Sequence, residues 1–236
     1  MRVALFAPCF VDAFDPAAAR ATVEVLERLG IRVEYPPEQT CCGQPQFNAG
    51  RVDQARELAT RFAGIFRDFE TVVSPSGSCV AMVRKHYPKL IGENEVSQKT
   101  FELCEFLVHR LGVVDLGARL SGKYVLHVGC HERRELGATD AVEKLVGGIA
   151  GLERVRVESD DWCCGFGGTF AVKFPKLSVE LGRRKLEPIL RADPDWVIST
   201  DASCLLHLDG LLRRIGGRRP RTLHVARALA ARGELR

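Results

Sequence analysis

The sequence predicts an α/β fold of two tandem modules with parallel sheets, related to one another by internal duplication. Three observations carry that expectation. Short apolar runs of strand length alternate with longer stretches of helical periodicity, the pattern of parallel strands joined by crossover helices. Cysteines recur in register: Cys130, Cys163 and Cys204 repeat Cys9, Cys41 and Cys79 at offsets of 121, 122 and 125 residues. Chance does not place three such positions in step. A cysteine doublet backed by glycine occurs once per half, as Cys41-Cys42-Gly43 and Cys163-Cys164-Gly165.

Taken in order, 2–7 is an apolar strand that runs into Pro8-Cys9. Val23, Leu26 and Leu29 mark the apolar face of a helix over 16–29, and 31–35 is a second strand ended by Pro36-Pro37. Leu58, Phe62, Ile65, Phe66 and Phe69 fall at i, i+4, i+7, i+8 and i+11, an amphipathic helix after the first doublet. A third strand at 71–74 leads to Pro75-Ser76-Gly77-Ser78-Cys79, and a helix at 101–111 closes the half. The second half repeats the plan. Strands are expected at 123–128, 152–157, 196–200 and 222–225, with helices around 141–149 and 177–190 and one after the last strand. The Gly-containing stretch 112–122 separates the two, so the modules are expected at 1–116 and 117–236.

A net charge of +4 is mild, and runs such as Arg183-Arg184-Lys185 and Arg218-Arg219-Pro220-Arg221 read as solvated faces. No recognition motif accompanies them, which argues against nucleic acid. No apolar run approaches the 18 or so residues of a membrane span, and no secretory signal is visible, so the expected location is the cytoplasm. Nine cysteines in such a compartment need an explanation other than structural disulfides, and metal binding or redox chemistry is the default.

Each cysteine outside the doublets, Cys104 excepted, lies just past a predicted strand, at the sheet edge where α/β proteins build sites. Cys9, Cys41, Cys42 and Cys79 are therefore expected to meet at one point, and Cys130, Cys163, Cys164 and Cys204 at another. A vicinal pair is a strained disulfide but offers two sulfurs on one short loop, and the following glycine lets backbone N–H groups approach what they hold. Four thiolates suit a [4Fe–4S] cluster or a Cys₄ zinc site on ligand count. The absence of any C-x-x-C favours iron–sulfur, up to one cluster per module. A zinc-stabilised, non-catalytic docking subunit and a metal-free thiol–disulfide protein remain as alternatives. Cys104 shares an apolar helical face with Phe101, Leu107 and Leu111 and reads as core. Gly165, Gly167 and Gly168 imitate a dinucleotide loop, but Phe170 stands where the third glycine belongs. A cover supplying N–H···S bonds fits them better. His127, His131, Arg133 and Arg134 flank Cys130. His131 and Arg133 are candidates for contact with a carboxylate substrate or an acidic partner face, though a solvated basic turn is the plainer reading.

The paired Cys…Cys-Cys-Gly…Cys pattern resembles the cysteine-rich CCG domain family, over essentially the whole chain. That family includes the heterodisulfide reductase B subunit, the glycolate oxidase iron–sulfur subunit and a lactate-utilization branch. Pro75-Ser76-Gly77-Ser78-Cys79 and Cys163-Cys164-Gly165-Phe166-Gly167-Gly168-Thr169-Phe170 are most similar to the last. The resemblance implies two Rossmann-like CCG domains and an oxidoreductase subunit that passes electrons from L-lactate, a small 2-hydroxy acid, through cysteine-ligated clusters. It implies a second iron–sulfur subunit and a third small subunit as partners. It also implies metal ligation by the eight cysteines of the two groups. Many members end in C-x-x-C; here Ser76 and Asp201 stand at the fifth cysteine's place, which leaves room for an oxygen ligand or an open iron position there.

Overall fold

The computed structural model describes residues 1–216 and 220–233. Arg218 and Arg219 of the second basic run lie outside them. The first sheet holds strands β1 (Arg2–Leu5), β2 (Arg32–Glu34), β3 (Val72–Ser74) and β4 (Thr100–Glu102) in the order β2-β1-β3-β4. The second holds β5 (Arg119–His127), β6 (Ala150–Arg154), β7 (Trp196–Ser199) and β8 (Arg221–His224) in the order β6-β5-β7-β8. Every pairing is parallel. Strand for strand, the second sheet repeats the first, as the cysteine register requires of two Rossmann-like modules.

Several elements depart from the expected bounds: β6 spans Ala150–Arg154 rather than 152–157, and the helix after the first doublet spans Val52–Ile65 and ends before Phe66 and Phe69. The stretch 101–111 was expected to be a helix throughout, whereas Thr100–Glu102 pairs with β3 and the helix begins at Leu103. The Glu102 carboxylate accepts hydrogen bonds from the Cys104 and Glu105 backbone N–H groups at 2.6 and 3.2 Å. It is an N-cap, which ends the strand and starts the helix at one residue. In the second module His224 does the same, with its Nδ1 accepting from the Ala226 N–H at 3.2 Å. The apolar spacing of Phe101 with Leu107 and Leu111 hides this break. β5 likewise begins at Arg119, inside the stretch expected to be a linker, and bulges between Arg119 and Gly122.

Each sheet has an outer and an inner face. Outside, Phe6, Phe62, Phe66 and Tyr87 build one core in the first module, and Val125, Leu186, Ile189 and Leu208 another in the second. Between the sheets lies a third core with residues from both modules, among them Val3, Leu26, Val73 and Phe106 with Leu126, Val142, Ile198 and Leu223. Burial of a Leu, Val or Phe side chain is worth about 1.5–3 kcal/mol, so this shared layer binds the modules to one another.

The helices that enclose the shared core contact each other reciprocally. Pro16–Arg28 packs on Val225–Ala230, and their counterparts Thr139–Gly147 and Leu103–Glu105 pack together in the same way. Cys9–Phe14 meets Ala202–Ile215, and Glu132–Leu136 meets Gly77–Ala81. That exchange is the signature of a pseudo-two-fold axis between modules. It turns the carboxyl edges of both sheets toward one place. Among the described residues no helix is long and apolar enough to cross a membrane.

Candidate metal centres

Each doublet sits on a loop fixed by its glycine. Gly43 and Gly165 hold φ of +84° and +89°, the left-handed region that glycine enters without penalty. In that conformation their N–H groups point back at sulfur: Gly43 N lies 3.4 Å from Cys41 Sγ and Gly165 N 3.3 Å from Cys163 Sγ. The Phe166 N–H adds a bond to Cys164 Sγ at 3.4 Å. Cys9 and Cys130 open the helical segments after β1 and β5, and Cys79 and Cys204 lie in the first turns of the helices after β3 and β7. Cys9 Sγ donates to Cys41 Sγ at 3.7 Å and Cys164 Sγ to Cys204 Sγ at 2.9 Å. These separations exceed the roughly 2.05 Å of a disulfide, and all the cysteines are free.

The eight sulfurs expected as two separate groups line a single cleft between the modules. Phe10 of the first module and Phe166 of the second meet edge to face at its rim, ring centres 5.2 Å apart. The sequence reading foresaw each foursome but not the common cleft, because facing requires the pseudo-two-fold axis and no residue pattern displays it.

The protonation pattern tests whether these residues suit a metal. Hydrogen bonds from Cys42, Cys9 and the Gly43 N–H push the Cys41 thiol down to about 3. Bonds from Cys130, Cys164 and the Gly165 N–H do the same for Cys163, to about 2. Their partners move the opposite way. Cys9 and Cys130 are raised by the bond to the neighbouring thiolate and by burial. Cys42 and Cys164 are raised by bonds to two sulfurs each and by burial. A lone thiolate thus suppresses ionisation of the thiols around it. A cation would reverse that, stabilising all the thiolates together and releasing their protons. Soft sulfur donors with N–H···S support fit iron–sulfur or zinc.

A family model described as a cysteine-rich domain, CCG, matches residues 3–84 and 124–209, one stretch per doublet. The chain belongs to the cysteine-rich CCG domain family. Among its relatives, lactate utilization protein A of Geobacillus kaustophilus is 43% identical, over 98% of this chain and 100% of that one. Its namesake in Macrococcus caseolyticus is 42% identical over 92% and 91%. The branch resemblance read from the motifs therefore holds along nearly the full length. Among solved structures, glutamate racemase RacE1 of Bacillus anthracis overlaps at a TM-score of 0.39 and 12% identity, covering 98% of this chain and 78% of its own.

The two CCG modules are not chemically equal beneath their sulfurs. In the first, Phe6 stacks edge-on against Phe62 and Phe66, with ring centres at 4.8 and 5.9 Å. In the second, His127 replaces Phe6, each lying three residues before the first cysteine of its module. His127 is 2% exposed, and neither ring nitrogen has a hydrogen-bond partner. Burial keeps its imidazole well below the usual range and hence neutral. A buried polar atom left unpaired costs about 1–3 kcal/mol. Lys185, fully buried nearby, donates from Nζ to the Ser159 carbonyl at 2.6 Å, and burial lowers it to about 8.

The other expected contacts divide. His131 lines the cleft with Nδ1 3.6 Å from Cys130 Sγ. Arg133 does not; it pairs with Asp161. Ser76 and Asp201 line the cleft and join across the module boundary: Asp201 Oδ1 accepts from Ser76 Oγ at 3.1 Å, Ser78 Oγ at 2.7 Å and Ser78 N at 3.2 Å. Trp162, beside the second doublet, is 45% exposed and does not line the cleft. Cys104 is buried in the shared core, as read.

Sequence reasoning missed the buried carboxylates Glu102 and Glu132 beside Asp201. Burial, with the charges of Glu105 and Asp201 adding to it, raises Glu102 to about 8 from 4.5, against the pull of its two capping N–H groups. The folded state therefore keeps a proton that the unfolded chain loses between pH 4.5 and 8. Stability conferred by that proton is complete below pH 4.5 and declines as pH rises toward 8. Glu102→Gln retains an acceptor for the cap, so metal-free variant protein should show a flatter decline in urea midpoint from pH 5 to 8. The difference should be on the order of 2–4 kcal/mol. An unchanged slope would assign the decline to other groups.

Proposed function

We propose that this CCG protein is the iron–sulfur subunit of a cytoplasmic complex that oxidises L-lactate to pyruvate. The observation that carries the reading is eight free thiols, four from each module, around one cleft. Near-full-length similarity to lactate utilization protein A supports it. Oxidation of lactate to pyruvate releases two electrons and two protons. Iron–sulfur clusters at these cysteines supply one-electron transfer.

The chain's own residues do the rest. Cys9, Cys41, Cys42 and Cys79 hold one centre, and Cys130, Cys163, Cys164 and Cys204 the other. The Gly43, Gly165 and Phe166 N–H groups stabilise sulfur charge. His131 at the cleft wall offers a hydrogen bond to a small hydroxy acid or to an acidic partner surface. A second iron–sulfur subunit and a third small subunit complete the assembly.

Anaerobically purified protein should be brown and carry about eight irons and matching sulfide per chain if both centres are four-iron clusters. Dithionite should produce paramagnetic signals, and L-lactate should reduce the centres once the partner subunits are added. Stoichiometric zinc with no reducible centre would select the docking-subunit reading. Thiols that cycle to disulfides without metal would select the thiol–disulfide reading.

A further inference from the structure

We propose that His127 is a nitrogen donor to the metal centre of the second module, beside Cys164 and Cys204, and that the first module has no counterpart. The idea rests on the reading of the cysteine groups as metal centres and adds a ligand to one of them. One nitrogen of His127 and the sulfurs of Cys164 and Cys204 all lie within 4.8 Å of one another. The three residues come from different segments: the end of β5, the glycine-backed loop and the helix after β7. They converge only because the sheet brings them together.

The plain alternative is a histidine packed in the core as a hydrophobe. Buried imidazoles ordinarily use their nitrogens, and this chain supplies the comparison. His224, equally buried, uses both: Nε2 lies 3.0 Å from the Pro75 carbonyl and 3.1 Å from the Thr200 carbonyl, and Nδ1 accepts from Ala226 N. His127 uses neither. Its equivalent in the first module, Phe6, fills the same place with hydrocarbon against Phe62 and Phe66. A residue that only had to fill space would not need two polar atoms here. Imidazole is a strong ligand for iron and zinc alike.

The test uses the full-length protein with ¹⁵N-labelled histidine. In the iron-loaded, reduced form, pulsed electron paramagnetic resonance should show a histidine-nitrogen coupling on one of two centres. That coupling should vanish in both His127→Phe and His127→Gln while iron content stays within about a tenth of wild type. In protein stripped and reloaded with ¹¹³Cd²⁺, one of two cadmium resonances should correlate with a histidine ring nitrogen. In the variants that resonance alone should move to the thiolate-only region. A wild type without nitrogen coupling in either form, or couplings that survive both substitutions, overturns the proposal. Iron analysis of the same samples reports on the lactate-oxidation reading separately: sulfur-only coordination with full iron sinks the His127 ligand alone, whereas no uptake of either metal sinks both.

Discussion

Cys164→Ser should lower the iron content of the purified chain to about half and leave the remaining centre spectroscopically unchanged. Cys164 is 4% exposed, accepts the Phe166 N–H and donates to Cys204 at 2.9 Å. No water can substitute for a sulfur so enclosed. A serine oxygen is harder than thiolate, reaches less far and resists deprotonation, so the second centre should lose its iron when Cys164 becomes serine. Cys42→Ser, at the equivalent place in the first module and 2% exposed, should remove the complementary half. Iron and sulfide assays with spectra of the two variants give the check: together they should sum to the wild type. Loss of all iron from either single variant would mean that the cleft holds one interdependent centre.

Gly165→Ala should destabilise the chain strongly. At φ of +89° an added Cβ is strained whatever surrounds it, and here it would lie 2.5 Å from the Ser178 carbonyl oxygen and 3.0 Å from the Gly182 nitrogen. Both are backbone atoms of the long helix Pro175–Ala192, which cannot rotate aside as a side chain would. Ser178 Oγ also donates to the Gly165 carbonyl at 2.8 Å, so the loop cannot shift without breaking that bond. Left-handed strain alone costs about 1–2 kcal/mol, and the clash brings the loss to about 3 kcal/mol or more. In a chain of this size that corresponds to a fall in Tm of about 6–12 °C. The second module's metal should go with it, since the loop carries Cys163 and Cys164. Gly30→Ala is the control: φ is +74° and nothing lies within 4 Å of an added Cβ. A Gly165→Ala protein no less stable than Gly30→Ala would remove the loop's rigid seating from the explanation.

What could be read from the residues follows from what each signal encodes. The duplication and the α/β alternation were legible because strand, loop and cysteine spacing are local and repeat. Convergence of each cysteine foursome was legible too, since a parallel sheet puts all its carboxyl ends on one edge. β4 was not: three residues ending in a buried glutamate look like the first turn of the helix that the same glutamate caps. The Arg133 contact with Asp161 was also hidden, because an ion pair between distant segments leaves no trace in spacing. His127 was visible as a neighbour of Cys130 but was grouped with a basic turn. Laying it against Phe6 across the repeat would have singled it out, since a core phenylalanine and a buried imidazole at one position differ in what they can bind. The buried Glu102 and Glu132 needed coordinates, as nothing in a sequence marks a carboxylate for burial.

The inner face with Leu26, Val73, Leu126 and Val142 has a consequence for ancestry. A half-length chain would present that face to water, so it would persist only by pairing with a copy of itself. Such a homodimer must line its cleft with two identical halves, and every substitution would strike both at once. A single polypeptide carries no such restriction. In it Phe6 can differ from His127, and Ser76 from Asp201, and the unlike halves give the cleft a direction that no assembly of identical halves can possess.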